Sequence, residues 1–285
     1  MSRRPPIRSA AGKTRKKRKR RFSIRRVVPN ARTRRRLVRA FRDAPRAVQG
    51  VVVVLVAVAL GFAVNWTYQV ARKPSELFFP MSGALYKEPA QTWRAYGALF
   101  RRHSTRVMSP DLLAALAQVE GSGNPIVRTY WRWSLTHEPF EIYRPASSAV
   151  GMYQITDGTF VDARRYCIHD HAVAVEGPWY AFRTCWFNEL YTRTVPSHAV
   201  ELTSAYLDRR VAEMLARDKG AYATLQQQQN VAALIHLCGP GVARAFARRG
   251  FAPAPGQRCG AHDVRRYLAK VNEMRRVFAR LDASS

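Results

Sequence analysis

Apolar and polar positions divide this chain into two textures. Residues 47–71, AVQGVVVVLVAVALGFAVNWTYQVA, are apolar on every side, and no charge falls between Arg46 and Arg72. A helix needs roughly 20 predominantly apolar residues to cross the hydrocarbon core. The run therefore predicts a transmembrane helix over 47–71, with Trp66 and Tyr68 near its far end, where aromatic side chains favour the headgroup level. Beyond it the apolar positions recur at three- and four-residue steps. In QTWRAYGALFRRHS these are Trp93, Tyr96, Leu99 and Phe100. Ser109-Pro110 signals a helix start, and PDLLAALAQVE runs from there to Gly121. Further helices are expected from TDGTFVDARRYC, from Ser197 to Gly220, from LQQQQNVAALIHLC to Gly239, and from GVARAFARR to Gly250. The last carries Val264, Tyr267, Leu268, Val271 and Met274 on one face. No alternating strand pattern or internal repeat is evident. An all-α domain over 91–285 is the expectation, joined to the span by a proline-containing linker or collar at 72–90.

Charge adds a direction to this picture. Residues 1–46 hold twenty Lys and Arg against one acid, Asp43, whereas the rest of the chain is far more balanced. A block such as KTRKKRKRR repels itself and buries little, so a largely disordered tail is expected, with a short basic helix over 31–42 suited to anionic lipid. Basic residues flanking a span are retained on the cytoplasmic side. The expectation is a single-pass signal anchor in the inner membrane, N-terminus cytoplasmic and C-terminal bulk periplasmic. Nucleic-acid binding through the same block would be steeply salt-dependent, but a block adjoining a membrane span is more simply explained by topology and lipid contact.

All four cysteines, Cys167, Cys185, Cys238 and Cys259, lie beyond the span. An even count in an oxidising compartment suggests two disulfides, for which three connectivities exist. Short loops between helices favour Cys167–Cys185 with Cys238–Cys259. A metal site in CIHDH lacks a recurring zinc spacing, and no metal or cofactor is expected.

Chemistry enters at VEGSGN. Leu113, Leu116 and Glu120 fall at i, i+3 and i+7, which sets Glu120 close to the core-facing side of a helix C-terminus. Desolvation and the helix dipole both disfavour its charged form, and a carboxyl kept protonated suits a general acid. An exposed glutamate bent away from the core is the alternative on spacing alone. A long segment between helices, PIVRTYWRWSLTHEPFEIYRPASSAVGMYQI, interleaves Tyr130, Trp131, Trp133, Phe140 and Tyr143 with arginines. Such aromatics either stack on sugar rings or bases, or plug the core.

Three stretches in order, LLAALAQVEGSGNP, SSAVGMYQITDGTF and NVAALIHLCGPGVARAF, resemble the lytic transglycosylase family, in its soluble-lytic-transglycosylase-like branch of the lysozyme-like superfamily, over about residues 108–280. The resemblance sets Glu120 on the family's catalytic acid, Gly151-Met152-Tyr153-Gln154 on its Gly-Leu-Met-Gln turn and Gly239-Pro240-Gly241 on the end of its third motif. It departs at Gly121, where the family has Ser, and at His236 and Leu237, where it has Tyr and Asn. The implied fold is a lysozyme-like helical domain. The implied activity is cleavage of the β-1,4 bond between N-acetylmuramic acid and N-acetylglucosamine in peptidoglycan, leaving a 1,6-anhydro end. Glu120 would serve as sole acid and base, with Gly151, Met152, Tyr153, Gln154, Tyr143 and His236 on the substrate side. Glu138, Glu141 and Asp157 are the candidates for a second carboxylate, which a hydrolytic muramidase would use. A wall-binding or scaffold protein on the same fold is the alternative that Gly121, His236 and Leu237 suggest.

Overall fold

The computed structural model describes residues 31–134, 138–178, 180–181, 183–217 and 223–284; the basic tail over 1–30 lies outside the described residues. Two units divide inside one helix, after Phe62. Helix α1 (Ala31–Asp43) is exposed throughout and matches the expected basic helix. Helix α2 (Arg46–Arg72) is long and apolar enough to cross a membrane, and none of its most apolar window is covered by protein.

The second unit, Ala63–Ser285, is mostly helical. Its first residues take the collar form of the linker or collar expected at 72–90. A 3-10 turn (Pro74–Phe78), helix α3 (Phe79–Ser82) and a second turn (Gly83–Leu85) form a collar. Glu76, fully buried, accepts from Arg128 and from the Trp131 indole N–H, each at 2.9 Å, with Lys73 at 3.4 Å. The Asn124 amide reaches back to the Ser82 carbonyl at 2.7 Å. A buried carboxylate is costly unless paired, and these partners are what fix the collar to the domain.

Helix α4 (Pro89–Arg102) starts at a capping box of Glu88 and Gln91, and α5 (Pro110–Gly121) at the expected Ser-Pro signal. Every residue from Leu112 to Ala117 is sealed from solvent; a helix apolar all round belongs inside a core. It packs on α4 and on the long α10 (Val264–Ala283). Between them in sequence come α6 (Asp157–Ala163), α7 (Pro196–Arg217), α8 (Leu225–Cys238) and α9 (Pro240–Arg248); the last three keep near their expected bounds, whereas α6 stops short of Tyr166 and Cys167, which lie in a strand.

Strands were not expected, and the described residues hold three short antiparallel hairpins: β1 (Trp131–Trp133) with β2 (Tyr143–Pro145), β3 (Tyr166–His169) with β4 (Ala172–Val175), and β5 (Arg258–Cys259) with β6 (His262–Asp263). At two to four residues each they are too short to show alternation. Cysteines pair as the loop lengths suggested. Cys167–Cys185 joins β3 to the turn Trp186–Leu190, and Cys238–Cys259 joins the end of α8 to β5, just ahead of α10. Cys167 is thereby removed as a thiolate ligand for the CIHDH segment.

A buried polar network lies beneath β3. Glu201 of α7 accepts from the Tyr191 hydroxyl at 2.8 Å and the Ile168 amide at 3.0 Å, with the His103 ring at 3.6 Å. Burial holds His103 below the ordinary histidine value of 6.5, with Glu201 pulling the other way; His198, stacked on Tyr191, is lowered likewise. The unfolded chain therefore binds these protons more readily than the folded one. The stability involved is present above the ordinary histidine range and lost as pH falls through it. Thermal melts of the full chain in detergent are expected to drop across that interval, and His103→Gln to flatten the slope. An equal slope in both proteins would contradict this.

Candidate functional site

Glu120 sits in the last turn of α5, partly buried, with 16% of its side chain exposed. The chain leaves the helix through two left-handed residues, Ser122 and Gly123. Two helices reach the carboxylate. From α10 the Tyr267 hydroxyl donates to Glu120 Oε1 at 2.6 Å, and from α8 His236 Nε2 stands 3.9 Å from the same oxygen. The histidine distance is too long for a direct hydrogen bond and short enough for a charge interaction. Burial, reinforced by the Glu120 charge and the hydrogen bond, drives the Tyr267 phenol well above its usual range, so it stays a neutral donor.

Gly121 explains its own identity. A Cβ there would lie 2.8 Å from the Met152 carbonyl oxygen and 2.9 Å from its Cα. The turn over Gly151–Gln154 is therefore pressed against the helix end one residue past the acid. Reciprocal main-chain bonds between Val150 and Ile155, both 3.1 Å, close that turn. Gly151 adopts a left-handed φ of 81°, and a Cβ there would meet the Arg193 carbonyl at 2.2 Å.

The turn's side chains correct part of the sequence reading. Met152 and Tyr153 are fully buried, and the Tyr153 hydroxyl donates to the Leu113 carbonyl at 3.1 Å. Both side chains belong to the core and cannot touch a ligand. The Gln154 amide nitrogen donates to the carbonyls of Val127 (3.2 Å) and Gly151 (2.9 Å), which leaves its side-chain oxygen as the group a ligand could use. Tyr143 lies in β2, its ring 5.1 Å from Trp131 and 4.7 Å from Trp133, with its carbonyl accepting from Asn65 of α2. It is part of a hairpin tied to the end of that helix. Sequence reasoning placed Tyr267 in the core stripe and missed its hydroxyl; nothing local to α10 signals a partner 147 positions away.

Two of the three other carboxylates that could serve as a second acid, Glu141 and Asp157, are held by arginines. Glu141 pairs with Arg72 and Arg144, each at 2.7 Å, and Asp157 with Arg193 at 2.7 Å. All of these line a separate cleft of about 460 Å³ near the end of α2.

No protein-family model matches the chain, and no curated protein matches it significantly.

The two helices holding Glu120 are stapled together. Cys238 lies two residues past His236, and its partner Cys259 precedes α10. Closing a loop of this length restrains the unfolded chain by about 3 kcal/mol in the chain-entropy view. Cys238→Ser with Cys259→Ser is expected to lower the melting temperature measurably and to loosen Tyr267 from Glu120. Unchanged melting would contradict a stapling role.

Proposed function

We propose that this protein is a membrane-anchored peptidoglycan lytic transglycosylase, with Glu120 as its single acid and base and the domain on a lysozyme-like helical fold. The observation that carries this reading is the contact of Glu120 with Tyr267, beside the Gly151–Gln154 turn. A half-buried carboxyl held by a neutral hydroxyl donor is oriented, and partly shielded from water, as a proton donor to a glycosidic oxygen needs to be. After leaving-group departure the resulting carboxylate takes the proton of the muramyl 6-hydroxyl, which closes the 1,6-anhydro ring. Proton and bond count balance without water: the glycosidic C–O bond breaks, a new C1–O6 bond forms, and Glu120 is regenerated.

Tyr267 supplies from the last helix the hydroxyl that the resemblance would assign to the third motif, where His236 stands. Its bond matters most while Glu120 is charged. Tyr267→Phe is expected to reduce turnover by about ten- to a hundredfold, the worth of a hydrogen bond to a charged group, with little change in KM. A parallel rise in KM would instead mean that Tyr267 binds substrate. Gln154 Oε1 accepts the N–H of the muramyl acetamido group. The arginine pairs of Glu141 and Asp157 favour the one-carboxyl route over a hydrolytic one. The charge asymmetry about α2 favours an inner-membrane anchor with the domain in the periplasm.

Incubating purified sacculi with the full chain in detergent tests this reading, with release of soluble muropeptides expected. Binding to sacculi without release would replace it with a wall-binding scaffold.

A further inference from the structure

The aromatic segment is the one that the sequence left divided between sugar stacking and core plugging. It folds as the β1–β2 hairpin, which is tied to the collar through Trp131 and Glu76 and to α2 by two further bonds. Asn65 donates to the Tyr143 carbonyl at 2.8 Å, and Gln69, one turn on, donates to the Phe140 carbonyl at 2.6 Å. Both amides are buried, at 9% and 6% exposure, near the end of a helix otherwise open along its apolar length. Counting roughly 20 residues from Ala47 puts the edge of the hydrocarbon core near Trp66. A polar amide at that depth needs an internal partner, and the hairpin provides one for each. The hairpin is thereby fixed at the level where α2 would leave the bilayer.

Its composition suits that level. Pairing of Trp131 with Pro145 and Trp133 with Tyr143 collects the rings on one face, and the same register sets Arg132 opposite Arg144 on the other. Arg144 is already paired with Glu141 at 2.7 Å, and the exposed Arg132 is the hairpin cation that a lipid phosphate could reach. Tyr130 (74% exposed), Trp133 (67%), Phe140 (42%) and Ile142 (38%) are open to the surroundings, as are Trp66 and Tyr68 of α2. The Tyr68 ring packs 5.2 Å from that of Phe140, so the surface is continuous with the helix end. Exposed aromatics interleaved with arginine are what the headgroup zone of a bilayer selects.

We infer that the β1–β2 hairpin is a membrane foot: its exposed aromatic residues sit in the outer headgroup zone beside the end of α2, and Arg132 engages lipid phosphate. The inference rests on α2 spanning the membrane and is independent of catalysis by Glu120.

The test uses the full chain reconstituted in vesicles of phosphatidylcholine and phosphatidylglycerol, with bromine carried either high or low on the acyl chains. The difference between wild-type and Trp133→Phe fluorescence isolates one ring, and with Trp133 well exposed the substitution leaves folding intact. Expected is a loss of the Trp133 signal with shallow bromine that exceeds the loss with deep bromine. A chain that co-sediments with the vesicles while Trp133 escapes both quenchers overturns the inference and leaves the anchor standing. Quenching relieved by soluble glycan fragments overturns it too, in favour of a sugar-binding hairpin. Failure to insert at all overturns both anchor and foot, and leaves the reaction assigned to Glu120 untouched.

Discussion

Glu120→Gln is expected to abolish glycan-strand scission by the full chain while leaving its melting temperature near that of the wild type. The amide keeps an oxygen that can accept from the Tyr267 hydroxyl, now 2.6 Å from Oε1, so the packing of α5 on α10 survives. What it lacks is a transferable proton. General acid–base catalysis by one side chain is worth about 10²–10⁴-fold, and here the same group is asked to act in both steps. The loss should therefore lie at or beyond the upper end of that range. Glu120→Asp separates position from acidity: it retains a carboxyl but shortens its reach toward Tyr267, and an intermediate rate is expected. Muropeptide release followed over time measures all three proteins. Equal release by wild type and Glu120→Gln would remove this residue from the chemistry.

The second large effect concerns Gly121, where the family that the motifs resemble carries serine. Introducing Ser would restore the residue of that family, yet it is expected to damage this protein. Its Cβ would stand 2.8 Å from the Met152 carbonyl oxygen, 2.9 Å from the Met152 Cα and 3.0 Å from a Val127 methyl. Two of these atoms are main chain, in a turn closed by the bonds between Val150 and Ile155, so they cannot rotate aside as a side chain would. Overpacking of this kind costs about 1–3 kcal/mol, which corresponds to a fall in Tm of about 2–12 °C for a unit of this size. Relief by movement of the turn would also displace Gln154 relative to Glu120, so scission should fall with stability. Gly121→Ala carries the same Cβ without the hydroxyl and should behave alike. Calorimetry of either variant decides it, an unchanged Tm being the contrary result.

These two residues illustrate how unevenly the site can be read from the chain. Glu120 is legible because its helix announces itself locally, through the Ser-Pro start and the buried run from Leu112 to Ala117. Its partner is not. Tyr267 occupies an ordinary core position on α10, and only the tertiary packing of α10 on α5 turns that position toward a carboxylate. Met152 and Tyr153 fail for the opposite reason: the turn that sets them beside the helix end points both side chains inward. Helices longer than two turns were recoverable from periodicity, whereas the hairpins, at two to four residues a strand, had no period to show. Residues 72–90 read equally as linker or collar, since what orders the collar is a single buried carboxylate, Glu76, bound by residues some fifty positions away.

The most direct measurement is the composition of the muramyl end released from sacculi digested in water enriched in heavy oxygen. Ring closure through the substrate's own 6-hydroxyl is expected to give 1,6-anhydro ends that carry no solvent oxygen. Reducing ends labelled with heavy oxygen would mean that water is the acceptor and that Glu120 does not act alone.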